Sequence, residues 1–270
     1  MAGVEGYFRV VAEERPELKL GNLRFYLDYL FRDVPLAGAR VLDIGAGDGL
    51  YTLYAVAAGA ERVVALEPEA AGSAAGVRDR FESAARRLGT APVDLRAQTF
   101  QDYDPRDVRF DVVLSHSSIN HLDEPACIAL GHDRDARNIY RALLAKLAAM
   151  TAPGGTLVVS DASRRNLFAR LPLRNPVAPT IEWEKHQAPA VWIELLTEAG
   201  FERARLSWNS FNTLRRPGRV LLGNRLAAWF LQSGFRLTMV RRAGTRAWSR
   251  PPTAAVSPRE REAARAPHTT

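Results

Sequence analysis

The residues best suited to chemistry begin at Asp43-Ile44-Gly45-Ala46-Gly47-Asp48-Gly49, directly after the apolar pair Val41-Leu42. Glycine at 45, 47 and 49 removes side chains where backbone must pass close to a ligand, and it permits a tight turn. Leu50, Leu53, Tyr54 and Ala57 follow at helical spacing, so the turn delivers backbone N–H groups at a helix N-terminus. A dinucleotide would need G-x-G-x-x-G to seat its pyrophosphate, and counting from Gly45 the sixth place is Leu50. Asp43 and Asp48 would repel a pyrophosphate and suit a ligand carrying an ammonium and a sulfonium. Glu67 ends the next apolar run, where a carboxylate can take both hydroxyls of a ribose, and Pro68 can pack on an adenine face.

A second set of reactive types follows the fourth apolar run, in His116-Ser117-Ser118-Ile119-Asn120-His121-Leu122-Asp123. An imidazole titrates near neutrality and can accept a hydroxyl proton, which makes His121 the first candidate for a general base. The alternative is that His121 caps the next helix. Asn120 can orient a polar acceptor or simply form a turn. His186 is the rival base, in Glu182-Trp183-Glu184-Lys185-His186-Gln187, where Trp183 can stack on a planar substrate or the whole segment can be a solvated loop. Arg164 and Arg165 can hold a phosphate or carboxylate, or lie on the surface as a pair. The five histidines are scattered with no pair at i, i+4 beside an acid, so no metal site is expected.

These groups need elements to position them. Short apolar runs at Arg40–Ile44, Arg62–Leu66, Val93–Ala97, Phe110–Ser115 and Thr156–Ser160 alternate with helical patterns at Leu50–Ala58, Ala74–Leu88 and Ala136–Met150. A further helix over Ala190–Ala199 stops at Gly200, and Ala204–Trp208 and Arg236–Val240 read as closing strands. Strands in alternation with helices imply an α/β fold, a doubly wound and mostly parallel sheet with helices on both faces. Residues 1–35 form an N-terminal helical cap, with a helix over 22–34, and 36–241 the main domain. The domain carries a lid-like insert at 163–188 and a helical insert at 209–234, whose helix is expected to begin after Pro217-Gly218.

The net charge of +7 invites a nucleic-acid reading, but residues 241–270 hold seven arginines and two acids, leaving +2 for the other 240 residues. The basic tail, 242–270, is rich in Pro, Ala, Arg and Thr and is expected to be disordered. No specific nucleic-acid partner and no membrane span is expected. Cys127 is the only cysteine, which excludes an internal disulfide and fits a reducing cytoplasm.

VLDIGAGDG at 41–49, VVALEPE at 63–69, QTFQDYD at 98–104, FDVVLS at 110–115 and APGGTLVVSD at 152–161 stand in order, and together they resemble the successive motifs of class I S-adenosylmethionine-dependent methyltransferases of the small-molecule type. The resemblance covers about residues 38–163. It implies a seven-stranded Rossmann-like sheet with an antiparallel last strand, S-adenosylmethionine as cofactor and S-adenosylhomocysteine as product. It assigns Asp43 and the Gly45-Ala46-Gly47-Asp48-Gly49 backbone to the methionine part and Glu67 to the ribose. Thr99 and Phe100 would lie near the adenine, although the first acid of that segment is Asp102, later than in many relatives. Ser115 and His116 would approach the amino group through backbone atoms, and many small-molecule relatives carry a histidine at the place of His121. The expected reaction is methyl transfer to a small-molecule hydroxyl. A nucleic-acid methyltransferase and a non-catalytic cofactor-binding protein are the alternatives, and oligomeric state stays open.

Overall fold

The computed structural model describes residues 3–68, 76–89, 93–171 and 173–244. The tail assigned to 242–270 therefore lies almost wholly outside the described residues, as does Pro172 in the lid-like insert. Two helices, α1 (Val4–Glu14) and α2 (Leu20–Leu30), precede the alternating part. That part runs β1 (Arg40–Ile44), α3 (Leu50–Ala57), β2 (Arg62–Leu66), α4 (Val77–Leu88), β3 (Val93–Arg96), β4 (Phe110–His116), α5 (Glu124–Ala129), α6 (Arg134–Met150) and β5 (Thr151–Ala162). It closes with α7 (Leu167–Arg170), α8 (Pro189–Glu198), β6 (Phe201–Trp208), α9 (Arg215–Leu222), α10 (Arg225–Phe230) and β7 (Gly234–Arg241).

The seven strands form one sheet in the order β3-β2-β1-β4-β5-β7-β6. All neighbouring pairs are parallel except those of β7, which is antiparallel to both β5 and β6. Side chains alternate between two cores, as the two-residue period of a strand requires. Leu42, Ile44, Val113, Leu157 and Val159 face a core closed by α5, α6 and α8. Val41, Val63, Val112, Leu114 and Val158 face a second core closed by α1 to α4. The chain reverses direction across the sheet between β1 and β4, and the crevice at their C-terminal ends is where such sheets bind ligands.

Several boundaries differ from the sequence reading, and three of the differences have a plain physical reason. The second helix ends at Leu30 rather than 34, and Asp33 has a φ of 59° that breaks it. The fifth strand starts at Thr151, because Phe110 pairs Thr151 across an irregularity before the regular register resumes at Val112 and Thr156. The late insert holds two helices, and the first contains Pro217-Gly218 rather than following it. Pro217 stands in the first turn, where backbone N–H groups have no helical partner to lose. The break falls at Gly223, and the Asn224 side chain caps α10 by accepting from Ala227 N.

The N-terminal helices are tied to the sheet by a buried arginine. Arg236 of β7 donates through Nε to Leu30 O at 2.7 Å and through Nη2 to Arg32 O at 2.5 Å. These carbonyls lie at the end of α2, where orphan acceptors and the helix dipole favour a cation.

Candidate functional site

The glycine turn sits between the ends of β1 and β2. Gly45 N and Ala46 N donate to Leu66 O at 2.9 and 3.0 Å, and Gly47 N donates to Glu67 Oε2 at 2.8 Å. Asp43 is 1% exposed and accepts from Thr52 Oγ1 at 2.5 Å, which fastens the strand to the helix after the turn. Burial pushes the Asp43 carboxyl up to about 7; the Thr52 hydroxyl opposes that rise and the Glu67 carboxylate adds to it. Asp48 is paired with Arg15 at the end of α1, and Tyr7 donates to Leu50 O at 2.9 Å, so the N-terminal helices lie against the turn.

The three turn glycines have different reasons to be glycine. All have positive φ, at 72°, 54° and 78°. A Cβ on Gly45 would stand 2.6 Å from Ser118 Cβ, and one on Gly49 would stand 2.5 Å from the Phe81 ring. A Cβ on Gly47 would meet no atom within 4 Å among the described residues. Gly45 and Gly49 are thus fixed by packing, whereas Gly47 opens on a space beside two buried carboxylates. That cradle fits a ligand with a positively charged methionine-like part. Gly49→Ala should cost stability through both clash and strain, on the order of 2–4 kcal/mol. Gly47→Ala should cost roughly 1 kcal/mol of strain in a thermal melt yet weaken cofactor binding more than that strain explains. Equal effects of both changes on melting and on binding would remove Gly47 from the ligand surface.

The end of β4 forms the neighbouring wall. Ser118 Oγ donates to Ile44 O at 2.5 Å and lies 2.7 Å from Ser115 Oγ, which locks this edge to the end of β1. His116 Nε2 shares a hydrogen bond of 2.6 Å with Tyr26 OH, and its ring lies 4.1 Å from that of Tyr51. Burial pushes the imidazole down to about 4, so His116 is neutral near pH 7 and serves as a packing group. Thr99 Oγ1 donates to Asp102 Oδ2 at 2.6 Å, and Phe100 is buried in the core with Lys146 Nζ 5.3 Å from its ring centre. Pro68 follows Glu67 at the limit of the described segment.

The two candidate bases occupy segments that touch. His121 Nδ1 donates to Glu124 Oε1 at 2.5 Å, and Glu124 Oε2 also meets Lys185 Nζ at 3.2 Å. Lys185 O accepts from Cys127 Sγ at 3.3 Å, and Gln187 Nε2 donates to Cys127 O at 2.5 Å. The insert from Glu182 to Gln187 is therefore fastened across α5. Its His186 donates from Nδ1 to Asp161 Oδ1 at 3.0 Å, at the end of β5. The His186 side chain is 15% exposed, Asp161 beneath it 1%, and the His121 side chain 46%. Each imidazole has a carboxylate on Nδ1, which leaves Nε2 as the atom that can accept a proton.

Asn120 is fully buried, and neither its Oδ1 nor its Nδ2 has a hydrogen-bond partner. Asp161 Oδ2 is likewise buried and unpartnered. Tyr140 OH, which donates to Asn120 O at 3.2 Å, holds the turn in place without serving its side chain. Such orphans cost about 1–3 kcal/mol each and concentrate where a ligand completes them. Asn120→Ala should therefore leave the melting temperature equal or higher while lowering kcat/KM for the acceptor; a variant that melts early with unchanged kcat/KM would make Asn120 structural.

A cavity of about 1520 Å³ adjoins this region, between the end of β5, α7, the start of α8, the end of β6 and α10. Arg164, Arg165 and Trp183 all line it. The sequence reading assigned no role to Asp161 or Glu124, although an acid at the C-terminal end of a strand was a readable signal for Asp161. It also missed Tyr26 and Tyr51 around His116, which arrive from helices on the other side of the turn. Among the described residues no three His, Cys, Asp or Glu side chains converge as metal ligands. No helix among them is long and apolar enough to cross a membrane.

The fold and the turn define a Rossmann-like domain built for a nucleoside cofactor with a cationic part, of the methyltransferase class. A family model described as a methyltransferase domain matches residues 11–238, and the chain belongs to that family, as its motifs suggested. Solved structures agree on the fold. An S-adenosylmethionine-dependent methyltransferase from Aquifex aeolicus superposes with a TM-score of 0.56 at 14% identity, covering 85% of this chain and 97% of that one. Another from Mesorhizobium loti gives 0.54 at 14%, covering 80% and 98%. Among curated relatives, the ubiquinone biosynthesis O-methyltransferase of Bradyrhizobium sp. (strain ORS 278) is 28% identical over 191 residues, 71% of this chain and 59% of the relative. That of Azorhizobium caulinodans is 28% identical over 193 residues, 69% and 68%. A tRNA U34 carboxymethyltransferase from Methylococcus capsulatus is 28% identical over 215 residues, 75% and 55%. Across the Bradyrhizobium and Rhodopseudomonas relatives the chain spans 42–59% of their length.

Proposed function

We propose that this chain transfers a methyl group from S-adenosylmethionine to a hydroxyl oxygen of a small-molecule acceptor, with His186 as the general base and His121 as the second candidate. The observation that carries the proposal is the His186–Asp161 pair, its carboxylate buried and its imidazole partly exposed, at the C-terminal end of β5, beside a cavity and separated from the strand of the cofactor turn by β4 alone. The bound cofactor supplies an electrophilic methyl on a sulfonium, and the leaving thioether is neutral. The protein's task is to bring the acceptor oxygen into line within about 3–3.5 Å of that methyl. When the acceptor oxygen is methylated, its hydroxyl proton would pass to His186 Nε2. Asp161 stabilises the imidazolium and keeps the Nδ1 proton in place. Asn120 orients the acceptor, and Asp43, Glu67 and the Gly47 backbone hold the cofactor. Two of the named relatives being O-methyltransferases supports oxygen as the receiving atom. The single buried cysteine fits a cytoplasmic setting.

The test has two stages. Calorimetric titration with S-adenosylhomocysteine and with NADH should show binding of the first alone. Transfer of a tritiated methyl group should then be assayed over a panel of phenols and hydroxy acids, with tRNA as a separate arm. Label entering tRNA in place of the small acceptors would overturn the small-molecule reading.

A further inference from the structure

The cavity beside β5 carries charge that the fold leaves uncompensated. Arg164, Arg165, Arg170, Arg174 and Arg225 line it, and none of the five guanidinium groups has a hydrogen bond or ion pair among the described residues. Some arginines elsewhere are matched with acids, as Arg40 with Asp111 at 3.0 Å, Arg141 with Glu198 at 2.8 Å and Arg137 with Glu194; the cavity differs in gathering five unmatched ones around one concavity. Glu184, itself exposed, is the one carboxylate in the lining. Five like charges around one concavity repel one another and focus a positive potential into it.

The apolar part of the lining is of a different kind. Trp183, Trp208 and Trp229 contribute half-buried indoles, three of the five tryptophans of the chain. Leucines complete it while remaining in water: Leu173 is 55% exposed, Leu206 40% and Leu226 69%. Large apolar side chains held open beside unpaired guanidinium groups describe the complement of a molecule with an apolar body and an anionic group. A single-stranded nucleic acid would use the arginines and indoles but has no use for the exposed leucines.

We infer that this cavity binds an amphiphilic anion, its apolar body on the tryptophans and its carboxylate or phosphate among the arginines, and that this molecule is the methyl acceptor. Calling it the acceptor rests on the methyl-transfer reading above; the binding does not. Asp161 and His186 do not themselves line the cavity, but Ser163, Arg164, Glu184 and Gln187, within three residues of one or the other, do, so the proposed base stands beside its wall. The arginine rim fixes one end of the acceptor and thereby sets which hydroxyl reaches the methyl.

The full chain should be titrated by tryptophan fluorescence with dodecyl phosphate below its micelle concentration, and with dodecanol, inorganic phosphate and a short single-stranded RNA in parallel. Dodecyl phosphate should bind at least roughly tenfold more tightly than dodecanol or inorganic phosphate. The double variant Arg164→Ala/Arg225→Ala, both exposed and unpaired positions, should lose about that factor for dodecyl phosphate and none for dodecanol. Equal affinity for dodecanol and dodecyl phosphate, or tighter binding of RNA, overturns the inference. Saturable binding to phosphatidylglycerol vesicles without binding of the monomeric amphiphile overturns it in favour of a membrane-facing surface. Calorimetry with S-adenosylhomocysteine on the same samples separates the two readings. Cofactor product bound with no amphiphile bound sinks this inference alone, and amphiphile bound with no cofactor product bound sinks the methyl-transfer reading alone.

Discussion

Replacing Asp43 by asparagine should weaken S-adenosylmethionine binding at least roughly tenfold at pH 8 and raise the stability of the ligand-free chain at the same pH. Both effects come from one buried carboxyl, pushed up to about 7 by burial. Its raised value means that the folded chain binds a proton more tightly than the unfolded one. The associated stability is complete below the unfolded value near 3.8 and is lost as pH rises towards 7, about 4 kcal/mol in all. Asparagine keeps an oxygen for the Thr52 hydroxyl but carries no charge to desolvate. His116 works in the opposite sense. Burial lowers it from 6.5 to about 4, so its contribution is present above 6.5 and lost as pH falls towards 4, about 3 kcal/mol. Over pH 4 to 6.5 the two slopes oppose each other. Urea unfolding of the unaltered chain should show little pH dependence from this pair. Asp43→Asn should show stability rising with pH through that window, the His116 slope left alone. Binding supplies the second readout. A cationic ligand favours the ionised carboxyl, so affinity should rise with pH up to about 7 and then level off, and in Asp43→Asn it should be flat. Unchanged affinity in that variant would place the cofactor site elsewhere.

What the sequence shows and what it hides divide along physical lines. The strands at Arg40–Ile44 and Arg62–Leu66 have the bounds their apolar runs predict, because parallel strands buried on both faces must be continuously apolar. The glycine turn was legible for a similar reason: only glycine tolerates the positive φ and the close approach of Ser118 and Phe81. The local partners of the histidines were not legible. Asp161 reaches His186 across 25 positions, and Tyr26 reaches His116 across 90. No period or spacing records such pairings, which depend on strand order and on how an insert folds back. The cavity arginines show the limit in another form. Arg164 and Arg165 were noticed as neighbours in sequence, whereas Arg170, Arg174 and Arg225 join them only because α7 and α10 meet at the end of β5. The late insert was misjudged at Pro217, where a residue that ordinarily breaks helices stands in the first turn of one and costs nothing.

Removing the His186 imidazole should produce the largest loss of rate. With an acceptor identified and the cofactor saturating, His186→Ala should lower kcat by roughly 10²–10⁴-fold, the usual share of a positioned base, and leave the affinity for S-adenosylhomocysteine unchanged. Asp161→Asn should lower kcat less and leave acceptor KM little changed, because His186 keeps its ring but loses the carboxylate that fixes its Nδ1 proton. A purely structural role for the pair would predict lower melting temperatures in both variants with kcat unchanged at temperatures where they stay folded. His121→Ala is the comparison. Its ring is nearly half exposed and its carboxylate partner Glu124 is shared with Lys185, so solvent and the ammonium both weaken what that carboxylate can do for it. The change should therefore act on acceptor KM before kcat. If His121→Ala abolishes turnover and His186→Ala does not, the base is His121 and the His186–Asp161 pair holds the insert over the site. If neither variant moves kcat at any pH, the acceptor arrives already deprotonated. The charged rim of the adjoining cavity would then matter for more than affinity: a guanidinium near the acceptor oxygen lowers its pKa, and Arg164→Ala should bring back a pH-dependent rate by removing that cation.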